Sequence, residues 1–348
     1  MKTFTVGLIG AGPVTQAIHL PTLARLDGVR VAGVMDPDMA VAQAVAATLD
    51  VPAAANLDQL LQQGVPDIAV IGSPNAFHAT QILTLVQAGV RGILAEKPLV
   101  MTPDEAQAIT AAIEQQGTAL VVGAMHTYDP GWLEAQELVR QLEGPFHVRS
   151  TIYLPANARF EDRATNMVRP APAGPTGSAG GPPNPAQLVH GAVMGLAIHA
   201  LPLIRGLIPA WERVEHAAAL APWGYNMTAT GRGGTVELLA RMPGTWRPDW
   251  QLGIWGAGTS QAALNFPPSY VHNGSAWGQV TLPDGATKAI APHLTNGYVA
   301  EWQDLLAQLT EGAAPRYPLV HVIDDVLYAI ELAGLAAAAI AGESEVAR

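Results

Sequence analysis

Short, wholly apolar runs alternate with longer stretches of helical periodicity through the first third of the chain. Thr5 to Ile9 reads as a strand, Gln16 to Leu26 as a helix and Val29 to Met35 as a second strand, one complete strand-helix-strand unit. The alternation continues with helix Met39 to Leu49, a short strand near Ala53, helix Leu57 to Gln63 and strand Ile68 to Ile71. Helix Ala76 to Ala88, strand Gly92 to Ala95, helix Pro103 to Gln116 and strand Ala119 to Gly123 complete it. Such alternation predicts an α/β domain over residues 1–124, a doubly wound parallel sheet of the Rossmann type whose crossover helices cover both faces.

After His126 the rhythm changes. A helix (Pro130 to Leu142) and a strand (Phe146 to Leu154) are followed by an irregular stretch, a helix and then a run of strands with none between them. Strands are expected at Trp211 to Leu220, Tyr225 to Thr230, Thr235 to Arg241, Trp250 to Trp255, Gln261 to Phe266 and Ala276 to Leu282. Turn signals such as Gly233-Gly234 and Asp284-Gly285 separate some of them. The expectation is a second, α+β domain over 125–348 with a large, mostly antiparallel open sheet, one face covered by closing helices Gly297 to Glu311 and Leu319 to Ala341. Residues 155–187 hold seven Pro and four Gly and read as a disordered insert or a loop near the active site.

Composition narrows the function classes. The 348 residues are 49% hydrophobic, enough for two cores without disulfides. Acidic side chains outnumber basic ones 29 to 18, and the net charge of −11 argues against nucleic acid or an anionic membrane as partner. There is no cysteine, hence no thiolate metal site and no catalytic thiol; with no signal peptide read at Met1 to Val14, a cytoplasmic location is expected. Val326 to Ala341 is interrupted by Glu331 and falls short of the roughly 20 residues that cross a bilayer. No His and carboxylate grouping has zinc spacing, so no metal is expected.

The chemistry starts at Gly10-Ala11-Gly12, between the first strand and the first helix, where glycines permit the tight turn and close backbone approach that a pyrophosphate needs. Asp36 ends the second strand 24 residues after Gly12, where a carboxylate accepts from adenosine ribose hydroxyls and repels the extra phosphate of NADP. NAD is the expected cofactor. Thr15 stands where a third glycine is usual.

With His19-Leu20-Pro21, Ser73-Pro74-Asn75 followed by His78, Glu96-Lys97-Pro98, and His199 in a helix of the second domain, the chain resembles the glucose-fructose oxidoreductase, inositol dehydrogenase and MocA (Gfo/Idh/MocA) family over nearly its whole length. The resemblance implies a hydride transfer between nicotinamide and a carbinol or keto carbon of a sugar, inositol or related polyol. It implies cofactor contacts at Gly10, Gly12, Pro13, Val14, Asp36, Ser73, Asn75, His78, Glu96 and Lys97. Ser73 to His78 and Glu96 to Pro98 follow strands four and five, on the sheet edge where ligands bind in such folds. Pro98 biases Lys97 away from helix and aims its ammonium toward a substrate hydroxyl, where it can stabilise a developing alkoxide. The resemblance gives this lysine that kind of role, and makes His199 the catalytic histidine.

One departure bears on His199. The family commonly has Asp four residues before this histidine and three after; here Gly195 and Pro202 occupy those places. His199 is thus read either as a proton-handling group or as a structural histidine, with His190 as a second candidate. His126 and Tyr128, after the last strand of the first domain, are read as substrate contacts or as packing at the domain joint. Arg159, Glu161, Asp162 and Arg163 are lid contacts or a solvated turn. Trp246, Trp250, Trp255 and Trp277 suit a sugar platform or, more often for strand tryptophans, a core or a subunit interface, of which the interface is favoured; the resemblance implies a homodimer or homotetramer through the open sheet. Two other functions stay open: an NAD-dependent glycosidase that oxidises its substrate transiently, and a non-catalytic dinucleotide-binding regulator.

Overall fold

The computed structural model describes residues 3–170 and 184–342; residues 171–183 of the Pro-rich stretch lie outside the described residues. The chain forms two compact units. In the first, β1 (Phe4–Ile9), β2 (Val29–Met35), β3 (Ala53–Ala54), β4 (Ile68–Ile71), β5 (Gly92–Glu96) and β6 (Ala119–Gly123) form a six-stranded sheet in the order β3-β2-β1-β4-β5-β6. Every pairing is parallel. Every residue of β4 and β5 is buried, as a central parallel strand covered on both faces requires. The order reverses between β1 and β4, so the loops after these two strands flank the switch point where doubly wound folds take their ligands.

Local chemistry ends the crossover helices where the sequence suggests. The Asp38 carboxylate accepts from the Ala40 and Val41 amides to start α2 (Met39–Leu49), and left-handed Asp50 stops it. A Thr102–Glu105 capping box with Pro103 in the first turn opens α5 (Pro103–Gln116), and left-handed Gly117 closes it. The first crossover departs from the expected helix over 16–26: Thr15–His19 is a wide π-type turn, continued by α1 (Leu20–Leu23). Two side chains reach back five residues there, Thr15 Oγ1 donating to the Gly10 carbonyl at 2.5 Å and Gln16 Nε2 to the Ala11 carbonyl at 2.6 Å.

The second unit is built on an eight-stranded sheet ordered β14-β13-β12-β11-β7-β10-β9-β8, antiparallel except for the parallel β7–β10 pair. The strands are β7 (Phe146–Tyr153), β8 (Trp211–Ala219), β9 (Gly224–Gly231), β10 (Gly234–Arg241), β11 (Asp249–Trp255), β12 (Gln261–Asn265), β13 (Trp277–Thr281) and β14 (Thr287–Ile290). Strand β14 was not expected; only Ile290 of its four residues is buried, so it carries no alternating signal. Buried and outward positions alternate along β11, with Trp250, Leu252 and Ile254 inside. The buried Asp129 carboxylate caps α6 (Pro130–Val139) at the Gly131 and Trp132 amides and also accepts from the Ala276 amide at 2.9 Å, fixing that helix to the entry of β13. Burial pushes this carboxyl above the ordinary range, against the pull of those amides.

The division at residue 124 needs one correction. Among the described residues, 160–170 and 298–323 belong to the first unit; 125–159, 184–297 and 324–342 form the second. Helix α10 (Gly297–Glu311), expected to cover the antiparallel sheet, instead packs on the parallel one. A Cβ at Gly92 in β5 would lie 2.9 Å from Leu309 Cδ1 and 3.1 Å from Leu305 Cδ1, so a glycine there admits the helix. The stretch expected to be irregular contains the short helix α7 (Ala158–Ala164). In the second unit the part of α11 (Leu319–Ala341) beyond 324 is held where Trp211 Nε1 donates to the Tyr328 carbonyl and the Tyr328 hydroxyl to the Ile208 carbonyl at 2.6 Å.

Candidate cofactor and catalytic site

The turn after β1 is shaped by contact with the loop after β4. Gly10 has φ of 89°, and a Cβ there would sit 2.8 Å from the Gly72 carbonyl carbon and the Ser73 amide nitrogen. Only glycine satisfies both. At Gly12 the situation is reversed: the one atom near an added Cβ is the Gly72 oxygen at 4.0 Å, so the backbone there faces open space. Pro13 is exposed and Val14 half-buried beside it. Asp36 Oδ2 accepts from the Ala11 amide at 2.9 Å and Oδ1 from the Asp38 amide at 2.9 Å, leaving each oxygen a further lone pair for a ribose hydroxyl. A tight turn, open space above it and a carboxylate beside it fit a dinucleotide.

The loops after β4 and β5 are tied together by His78. It is fully buried at the start of α4 (His78–Gln87), with Nδ1 2.9 Å from the Pro98 carbonyl and Nε2 2.8 Å from that of Ser73. Both ring nitrogens are engaged by backbone, so His78 holds the two loops in place and offers a cofactor neither nitrogen. The Ser73 hydroxyl donates to Gln81 Oε1 at 2.6 Å, while Asn75 is exposed in a short 3-10 turn. Lys97 is half-buried at the end of β5, joined to Pro98 by a cis peptide. Burial lowers its ammonium pKa, an effect that the neighbouring Glu96 charge opposes.

Glu96 itself turns inward. Its carboxylate lies against Gly123, where a Cβ would be 2.8 Å from Oε1, and meets His19 Nε2 at 3.2 Å. Trp302 Nε1 donates to His19 Nδ1 at 3.3 Å, so Nδ1 accepts and Nε2 carries the proton given to Glu96. Next to Trp302 on α10, Glu301 is fully buried and neither carboxylate oxygen has a hydrogen-bond partner. Burial first, and repulsion from Glu96 second, push its carboxyl well above the ordinary range.

In the second unit, His126 and His199 share an aromatic enclosure. Their ring centroids are 5.8 Å apart, and Trp250 packs edge-on to both, at 4.4 Å from His126 and 5.2 Å from His199. Phe266 lies 4.6 Å from His126. Both histidines are buried, as is Tyr128. Gly195, at the end of α8 (Pro185–Gly195), faces the Trp223 indole: a Cβ would be 3.5 Å from its Nε1, ordinary contact, whereas at Gly191 it would be 2.5 Å from Cη2. The place four residues before His199 is thus beside an indole. His190 is half-buried on the same helix.

The tryptophans of this unit divide between core and surface. Trp250 is a core residue of the covered sheet face; Trp255 and Trp277 are each 41% exposed, and Trp246 is 76% exposed. The Arg159 guanidinium lies 3.8 Å over the Trp246 ring and donates to the Trp246 carbonyl. Arg169 pairs with Glu161 and Asp162, which makes these acids internal braces of the first unit. Among the described residues no group of three or more His, Asp or Glu could hold a metal ion, and no helix is long and apolar enough to cross a membrane.

Residues 4–124 match the family model described as an oxidoreductase family with an NAD-binding Rossmann fold, GFO_IDH_MocA. Over these residues, about a third of its length, the chain is similar to the NAD-binding domain of that family. Inositol 2-dehydrogenase of Leifsonia xyli subsp. xyli is 33% identical over 139 residues, 38% of this chain and 40% of that protein. The match therefore spans well under half of the curated relative. The structure of UDP-N-acetylglucosamine 3-dehydrogenase from Acidithiobacillus ferrooxidans superposes with a TM-score of 0.70 at 19% identity, covering 98% of this chain and 100% of that one. A 3-ketoreductase from Actinomadura kijaniata, in complex with TDP-benzene and NADP, gives 0.71 at 16% identity over 94% and 96% of the two chains. At these identities the structures establish a shared fold along the whole chain.

Sequence reasoning did not anticipate Gln16, Glu301 or Trp302. His19 carried a signal, through His19-Leu20-Pro21; Glu301-Trp302 carried none, since it reads as the start of an ordinary amphipathic helix. The raised Glu301 carboxyl makes a prediction. The native state holds more protons than the unfolded chain between the ordinary and the raised pKa, so stability falls as pH rises through that window. Glu301→Gln removes the titration. Urea midpoints from pH 5 to 9 should show the variant gaining on the wild type with rising pH, by at most about 1.4 kcal/mol per pH unit. A constant difference across the range would show that Glu301 titrates normally.

Proposed function

We propose that this protein is an NAD-dependent oxidoreductase that moves a hydride between nicotinamide and a carbinol or keto carbon of a sugar, inositol or related polyol. The observation that carries the reading is the pairing of a fitted dinucleotide turn, Gly10 to Gly12 with Asp36, with a half-buried Lys97 at the end of a neighbouring strand. When bound, the nicotinamide supplies the hydride acceptor or donor. Lys97 holds the substrate hydroxyl, and its lowered pKa suits it both to stabilise a developing alkoxide and to move the proton. His199 is the second residue assigned to proton handling. Its ring lies in an aromatic enclosure with His126 and Trp250; His126 and Tyr128, both buried, are proposed substrate contacts, and His190 is the alternative for proton handling. The protein is proposed to assemble as a homodimer or homotetramer through the open face of the eight-stranded sheet, where Trp255 and Trp277 are exposed.

Asp36 generates the cofactor prediction. Calorimetric titration should give tighter binding of NADH than of NADPH, and Asp36→Ala should narrow the gap by relieving repulsion of the 2′-phosphate. Equal or tighter NADPH binding by the wild type would sink the NAD assignment.

Turnover is to be followed by nicotinamide absorbance across sugars, polyols and their keto forms. Lys97→Ala should abolish it while NADH binding survives. His199→Asn should lower it by about 10²-fold to 10⁴-fold, the usual loss on removing a general acid or base. Retention of rate within a few-fold in either variant removes that residue from the mechanism. A large loss at His190→Asn with a small one at His199→Asn would move the proton-handling role to His190.

For assembly, light scattering should report a dimer or tetramer that Trp255→Glu together with Trp277→Glu dissociates. A monomeric wild type would rule out the sheet-face interface.

A further inference from the structure

Gln16 is 5% exposed in the turn that follows the Gly-rich loop, and all of its amide is used. Nε2 donates to the Ala11 carbonyl at 2.6 Å and to the Val168 carbonyl at 2.8 Å, and Oε1 accepts from the Val168 amide at 2.8 Å. The side chain therefore imitates a peptide group. It pairs with Val168 at two points, as a neighbouring strand would, across 152 residues of sequence. On its other side it grips the middle residue of Gly10-Ala11-Gly12.

Ala11 is held from both ends of its backbone, its amide by Asp36 Oδ2 and its carbonyl by Gln16. One line of hydrogen bonds thus runs from the carboxylate proposed to read the adenosine ribose, through the turn, to Val168. The segment beyond Val168 is closed on itself. Arg169 donates to Asp162 Oδ1 at 2.7 Å and to Glu161 Oε2 at 3.1 Å, joining the end of the segment to α7. Residues 160–170 form a braced loop within the first unit, fastened beside the Gly-rich turn by the Gln16 side chain.

We propose that residues 160–170 are a strap that retains the bound dinucleotide, and that Gln16 is the positioning residue that latches it. This rests on the dinucleotide reading above. The backbone at Gly12 faces open space where a pyrophosphate would lie, and the residue before it, Ala11, is bridged to Val168 by the Gln16 amide. Such a strap must unlatch for the dinucleotide to enter and to leave, and its contacts with the bound dinucleotide make opening rarer after binding than before, so departure is slowed more than arrival. Glutamine is needed specifically, since Glu at this position keeps the shape but loses both donors.

The test uses the full chain and NADH as probe. Stopped-flow fluorescence should show NADH dissociation at least about ten-fold faster from Gln16→Ala and Gln16→Glu, with association changed by no more than about three-fold. Hydrogen exchange should be faster at the Val168 amide in both variants, and in the wild type NADH should slow exchange across 160–170. Faster exchange at Val168 with an unchanged NADH dissociation rate would overturn the latch while leaving the dinucleotide reading intact. So would wild-type exchange over 160–170 that NADH does not alter, a measurement that stands even if the variants fail to fold. A wild-type chain that binds no NADH would overturn the dinucleotide reading and the strap with it.

Discussion

The close approach of two loops at the β1–β4 switch point governs the rest of the first unit. Gly10 and the Gly72–Ser73 peptide touch so closely that no side chain fits between them. The Thr15 hydroxyl fills the remaining gap: it donates to the Gly10 carbonyl and would lie 2.6 Å from a Cβ at Gly72. Thr15 stands where a glycine is usual, yet it tightens this junction where a bare backbone would leave a void. From that junction the first crossover starts as a wide turn, and the wide turn is what aims Gln16 back at Ala11.

Behind the ligand edge lies a polar layer that the sheet would otherwise have no reason to contain. Glu96, His19 and Trp302 form a directed chain of hydrogen bonds, with one tautomer selected because an indole can only donate. Beside it, burial and the Glu96 charge raise the Glu301 carboxyl well above the ordinary range. This layer fixes the backbone on which Lys97 is mounted, so the lysine's position depends on a helix about 200 residues away in sequence.

In the second unit the governing constraint is strand parity. Trp250 and Trp255 are separated by an odd number of residues on β11, so they must occupy opposite faces. One packs against His126 and His199; the other reaches the open face with Trp277. Treating the four tryptophans as a single class hid that difference, although the spacing alone contains it. At Gly195 the packing does not forbid a side chain, so the absence of a polar partner four residues before His199 is a property of this sequence and not a steric necessity.

The amino-acid sequence by itself determined the two-unit architecture, the strand alternation of the parallel sheet and the position of the Gly-rich turn. Each of these is set by local periodicity, capping chemistry and glycine conformation, and closing helices at Gly297–Glu311 and Leu319–Ala341 were legible for the same reason. What only the tertiary structure decided is which surface each element covers. Helix α10 has an apolar stripe that would suit either sheet, and it lies on the parallel one because Gly92 makes room for Leu305 and Leu309 and His19 accepts from Trp302. The partners of Gln16, His78 and Glu96 were likewise invisible, since a side-chain hydrogen bond across 20 to 152 residues leaves no periodic trace along the chain.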